Sequence, residues 1–146
     1  MIKYIQGDIL KTTDPIIFFL SDERGRLNTS LLQAALQQYP DLASLERPPY
    51  TTPEVYLGTI STISVVDKGQ IVLLLHTVLK DQIVPDSLRE ALTMLANSLN
   101  DLDPEGLIPI SGPRIGWKRM KDWWEKMEEM FNEVFPQREV RLYIKE

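Results

Sequence analysis

The chain has 146 residues and a mass of 16.8 kDa, with 43% hydrophobic and 25% charged residues, the make-up of one folded domain spanning 1–146. Sixteen Lys and Arg against 21 Asp and Glu leave a net charge of -5, which excludes an overall basic field for duplex nucleic acid. The absence of cysteine and a single histidine exclude disulfides, thiolate chemistry and the usual zinc ligand sets, so neither a metal nor a cofactor is expected.

The opening MIKYIQGDILK has no basic segment followed by an apolar run, and nothing approaches about 18 consecutive apolar residues. The expected location is the cytoplasm, with no membrane partner. In chain order, Ile2 to Ile5 predicts a short strand ended by Gln6-Gly7-Asp8, and the unbroken apolar run Pro15 to Leu20 predicts a strand buried on both faces. Leu31, Leu32, Ala35 and Leu36 recur at helical spacing, predicting a first helix over Asn28 to Tyr39 that Pro40 ends. Pro48, Pro49 and Pro53 make Asp41 to Pro53 an irregular connection. Val55 to Val66, the turn Asp67-Lys68-Gly69 and Ile71 to Leu75 predict a hairpin.

Leu88, Leu92, Leu95 and Leu99 share one face of a second helix, for which Asp86 is the expected N-cap. A strand is expected at Leu107 to Ile110, then a loop from Ser111 to Gly116. A long third helix follows, with Trp123, Met127, Met130, Phe131 and Val134 as its apolar stripe. Val140, Leu142 and Ile144 alternate with polar neighbours as a last strand. The alternation predicts an α/β sandwich, a mixed sheet between two helical layers, with any ligand outside the C-terminal ends of its strands. The loops leaving Ile5, Leu20, Leu75 and Ile110 are therefore the candidate site, and the glycines Gly112 and Gly116 serve either to shape a turn or to bring backbone N–H groups to a phosphate.

The ordered set Ile2-Lys3-Tyr4-Ile5-Gln6-Gly7-Asp8-Ile9-Leu10, Asp14-Pro15-Ile16-Ile17-Phe18-Phe19-Leu20-Ser21, Pro113-Arg114-Ile115-Gly116 and Val140-Arg141-Leu142-Tyr143-Ile144 resembles the macro domain, an ADP-ribose-binding α/β/α module. Ser21 at the strand end, the Pro-Arg-Ile-Gly loop, Glu54-Val55 and the Gly69 turn are most similar to the branch containing the terminal ADP-ribose protein glycohydrolase. The resemblance implies that Asp8, with the Ile9 backbone beside it, accepts from the adenine amino group. It also implies that Ser21 and Asp22 contact the distal ribose, and that Ile115, Gly116 and Trp117 form the diphosphate loop. Asn28 and Lys118 border those loops. Each has a plainer reading: Asp8 as a turn or cap, Trp117 as a core residue, Arg114 as a support behind the loop.

The departures are equally specific. The family's Gly-x-Gly before the first helix is replaced by Arg26-Leu27-Asn28-Thr29-Ser30, with Gly25 upstream. Where the glycohydrolase branch uses a lysine and an aspartate, matching without gaps places Val78 and Met120; a register shift would supply Lys80 and Asp122 instead. His76 is either a general base or a hydrogen-bonded structural residue. The leading expectation is a binder of ADP-ribose, free or on a protein, or of a related nucleotide diphosphate, without lysine-based glycohydrolysis. One alternative is a hydrolase releasing ADP-ribose from protein or phosphate from its terminal ribose, through Lys80, His76 or Asp122. Another is a protein-interaction module using Trp117, Trp124 and the 41–53 loop.

Overall fold

The structure is a computed structural model that describes residues 1–114 and 121–145, with the side chains of 121–124 outside that description. Strands β1 (Ile2–Gln6) and β2 (Ile16–Asp22) precede helix α1 (Ser30–Gln38) and the one-turn α2 (Pro53–Tyr56). Then come β3 (Ile60–Val65), β4 (Gln70–Leu79), β5 (Gln82–Ile83), α3 (Pro85–Leu102), β6 (Ile110–Pro113), α4 (Lys121–Val134) and β7 (Val140–Ile144). The seven-stranded sheet has the order β1-β7-β6-β2-β4-β3. Its β1, β7, β6, β2 and β4 run parallel, whereas β3 and β5 each pair antiparallel with β4.

Alternation along the buried strands sends neighbouring side chains to opposite faces. Ile17, Phe19, Val72 and Leu74 pack with Leu32 and Ala35 of α1 and with Tyr39 and Leu42. Ile16, Phe18, Leu73 and Leu75 pack with Leu88, Ala91, Leu92, Leu95 and Leu99 of α3 and with Met127, Met130 and Phe131 of α4. These are the two cores of an α/β/α sandwich around a mixed sheet, as the sequence predicts, and each fully buried Leu or Phe contributes roughly 2 kcal/mol. Helix α1 starts where Thr29 accepts from the Leu32 N–H at 3.1 Å. Among the described residues no helix is long and apolar enough to cross a membrane.

Five local expectations are corrected, each for a physical reason. Ser21 and Asp22 belong to β2, because β4 runs on to Leu79 and supplies partners for them. Pro85 takes the first helical position of α3, so Val84 is the N-cap and Asp86 sits in the first turn. The 41–53 connection is not wholly irregular: Pro40–Leu45 is a 3₁₀ helix that buries Leu42, and Pro53 opens α2. The hairpin strand starts at Ile60 because Val55 lies in α2.

The fifth concerns β6, which spans Ile110–Pro113 and not Leu107 to Ile110. The N–H groups of Leu107 and Ile108 donate to the Asp103 carboxylate at 3.3 and 2.8 Å, and the Ile108 carbonyl accepts from Arg138. Arg138 pairs with Asp103 at 2.6 Å, and both are buried. That clamp uses the backbone groups a strand would need. Gly112 is accordingly a strand residue, not a loop residue. A Cβ there would lie 2.2 Å from the Phe18 ring, whose centroid is 5.8 Å from that of Phe131, so the glycine makes room for the core aromatic pair.

Candidate functional site

The C-terminal ends of the five parallel strands share one edge of the sheet, where open α/β sheets hold ligands. At the end of β1, Asp8 caps the 3₁₀ turn Ile9–Lys11: its Oδ1 accepts from the Leu10 N–H at 3.0 Å. Oδ2 faces Lys145, just past β7, at 3.5 Å, and the Asp8 side chain keeps 18% of its exposure. One oxygen is thus committed to the cap while the other is ion-paired with the exposed Lys145 at the edge. The Ile9 side chain is buried in the core on the α1 side, which leaves its backbone as the part nearest the edge.

At the end of β2 the register with β4 shifts between Ser21, opposite His76, and Asp22, opposite Val78. Thr77 is the extra residue of this bulge. The Asp22 carboxylate turns back into its own loop: Oδ1 accepts from the N–H groups of Arg24 and Arg26, both at 3.0 Å, and Oδ2 pairs with Arg26 Nε at 2.6 Å. Gly25, at the centre of that loop, has φ +70°. A Cβ on it would stand 3.0 Å from the Leu45 carbonyl oxygen and 3.4 Å from His76. The upstream displacement of this glycine therefore serves packing of the loop over His76. Asn28 lies exposed in the same connection, beside the Thr29 cap.

His76 is fully buried. Its Nδ1 lies 2.7 Å from the Asp22 carbonyl, which can only accept, so Nδ1 carries the proton. Its Nε2 then accepts from the Ser61 hydroxyl at 2.7 Å. Ser21 Oγ is 3.1 Å from Nδ1. Burial and the nearby Arg47 charge outweigh the Asp22 carbonyl and lower the His76 pKa to about 4, so the ring is neutral near pH 7. Both ring nitrogens are hydrogen-bonded within the fold.

Arg47 completes this node. It donates to the Glu23 carbonyl at 2.7 Å and to Ser61 Oγ at 3.3 Å, and its guanidinium lies 4.1 Å from the Tyr56 ring centroid. Beside it, Pro48, Tyr50, Thr51, Thr52 and Val55 line an open cleft of about 360 Å³. Neither Arg47 nor Ser61 carries a sequence signal: their partners are 14 to 24 residues away and meet only in the folded chain.

Val78 is an aliphatic strand residue paired with Asp22 and Ile83. Lys80 and Asp81 form the exposed two-residue turn between β4 and β5. The Arg114 N–H donates to the Tyr143 carbonyl at 2.9 Å, and its guanidinium lies 5.7 Å from the Tyr4 ring centroid. Ile115, Gly116, Trp117, Lys118 and Met120 lie outside the described residues, as do the side chains of Asp122 and Trp124. The structure thus brings Asp8, Ile9, Ser21 and Asp22 to one edge and draws Ser21, Asp22 and His76 into one internal network.

No family model and no curated protein matches the sequence. Solved structures do match the fold. The macrodomain of Thermus aquaticus DarG superposes with a TM-score of 0.75 at 14% identity, covering 99% of this chain and 98% of that one. The macrodomain of Mycobacterium tuberculosis DarG gives 0.75 at 18% identity, covering 98% and 97%. Thermosipho africanus DarTG, solved in complex with ADP-ribose, gives 0.73 at 13% identity, covering 97% of this chain and 41% of that one. The strand order, the two helical layers and these near-full-length superpositions agree, and the chain has the macrodomain fold.

Proposed function

We propose that this chain binds ADP-ribose, free or attached to a protein, at the edge bounded by the ends of β1, β6 and β2, and does not cleave it by a lysine route. The observation that carries the reading is the Asp8 carboxylate. Its Oδ1 is fixed by the Leu10 N–H, and its Oδ2, paired at 3.5 Å with the exposed Lys145, has a further lone pair with which to receive an exocyclic amine of adenine. The ADP-ribose complex of the structural neighbour from Thermosipho africanus supports the choice of ligand. The aliphatic Val78 in the β4 register supports the absence of lysine chemistry.

Isothermal titration with ADP-ribose and with ribose 5-phosphate tests this. Asp8→Asn keeps the cap, since asparagine caps as well as aspartate, but places an amide donor where Oδ2 accepts. ADP-ribose affinity is expected to fall roughly tenfold or more, while ribose 5-phosphate binding stays as in the parent protein. Equal losses for both ligands would remove the adenine role. No heat at millimolar ADP-ribose would overturn the binding reading itself, and release of ADP-ribose from a modified glutamate substrate would overturn the non-hydrolytic one.

A further inference from the structure

The sheet ends on two unlike edges. On one, β1 carries Lys3, and its Tyr4 hydroxyl hydrogen-bonds Glu128 of α4. On the other, β3 reads Ile-Ser-Thr-Ile-Ser-Val, with no charge and no proline, and among the described residues it pairs with β4 alone. Sheet edges are normally guarded by lysine, proline, a bulge or a covering element, because an open row of N–H and C=O groups templates another strand. The β3–β4 register runs from Ile60 to Val65 without a shift, so no bulge twists this edge away. Thr62 and Ser64 are exposed on it, and Val66, the next residue after the strand, is 86% exposed.

We propose that β3 is a self-association edge, joining a second copy of this chain antiparallel across a two-fold axis perpendicular to the sheet. Such an axis keeps each face of the sheet on the same side, so residues of equal parity meet across it. Centring the pair on Ile63 sets Ile63 against Ile63, Thr62 against Ser64 and Ser61 against Val65 of the other copy, and brings exposed Val66 opposite Ile60. Every cross-strand pair is then β-branched or hydroxyl-bearing, and no like charges oppose one another within the strand despite the net charge of -5 on each chain. A second copy is favoured over an unrelated extended peptide because the strand is complementary to itself in this register.

Sedimentation and light scattering across micromolar to millimolar protein test the proposal. The parent chain is expected to reach twice the 16.8 kDa of one chain. Thr62→Lys with Ser64→Lys places like charges opposite each other in both cross-strand pairs, and is expected to raise the dissociation constant roughly 100-fold. Thr62→Lys with Ser64→Glu sets lysine against glutamate in this register only, and restores the dimer. Both positions are exposed, and the circular dichroism of each variant checks that the monomer is folded. A parent chain that stays monomeric at millimolar concentration, a double-lysine variant that still dimerises, or a lysine–glutamate variant that does not recover would each overturn the proposal.

Discussion

Two polar clusters sit on the α1 side of the sheet and are held in opposite states. At the end of β4, His76 is neutral: its donor meets the Asp22 carbonyl and its acceptor meets Ser61, with Arg47 behind. Near the start of β2, Asp14 accepts from Ser111 at 2.7 Å, Tyr143 at 2.6 Å and Arg141 at 2.9 Å. Burial pushes the Asp14 carboxyl up, but Tyr143, Ser111, Thr12 and Arg141 together hold it below the usual carboxylate range. A titratable group inside this sheet takes whichever state its neighbours complete. Donors converging on an acid keep it ionised, whereas burial and the nearby Arg47 charge, outweighing the Asp22 carbonyl, keep the imidazole neutral.

The largest effect that distinguishes the clusters comes from removing the acceptor of the ionised one. Asp14→Ala leaves the Ser111 and Tyr143 hydroxyls and the Arg141 guanidinium without their shared partner, and is expected to cost about 4 kcal/mol in urea denaturation at pH 7. Asp14→Asn keeps one accepting oxygen and is expected to cost about half as much. If the alanine variant unfolds at the parent midpoint, convergence of donors is not what holds this part of the sheet.

The neutral cluster is read by pH. In the unfolded chain His76 takes up a proton near its ordinary pKa of 6.5, whereas in the folded chain it does so only near pH 4. The unfolded state therefore binds more protons between those values, and acid favours it. Stability is complete above about pH 6.5 and declines as pH falls to about 4, by a total on the order of 3 kcal/mol. Asp14 behaves differently. Its folded pKa lies below the ordinary 3.8, so its contribution is present above 3.8 and is lost only as pH falls through the folded value. Denaturation midpoints measured from pH 7 to 3 should show the two windows in sequence. His76→Gln should remove the upper one, and a slope between pH 6.5 and 4 that survives that substitution would show that another group drives it.

The same contrast accounts for how much the sequence discloses. Ile16 to Phe19 and the Leu88, Leu92, Leu95, Leu99 stripe are legible because burial repeats at the strand or helix period, and the sandwich follows from their alternation. Asp8 is legible as a cap because a carboxylate just past a strand has few local roles, and its Oδ1 does accept from the Leu10 N–H. Asp22 is legible as a residue but not in its action. The Arg24 and Arg26 N–H groups reach it only when Gly25 takes a positive φ. His76 is legible as a residue but its Ser61 and Arg47 partners are not, nor is the Asp14 cluster, because each joins groups distant in sequence that meet only in the folded chain. Periodicity reports which face a side chain is on, never which polar group it finds there.

The smallest effect separates the His76 cluster from the turn on the same strand. Lys80 and Asp81, between β4 and β5, have φ of 50° and 62°, the paired left-handed conformation of a type I′ hairpin turn. A residue with a Cβ is strained there by roughly 1 kcal/mol, and Asn-Gly is the pair that fits best. Lys80→Asn with Asp81→Gly is expected to stabilise the fold by about 1 kcal/mol, less the added freedom of the glycine in the unfolded chain. Because neither residue touches the His76 cluster's hydrogen bonds, the gain should be the same at pH 7 and pH 5, raising the whole stability profile without altering its slope. A gain that shrinks as His76 becomes protonated in the unfolded chain would mean that the turn and the histidine are coupled through β4, and that the cluster is not an independent device.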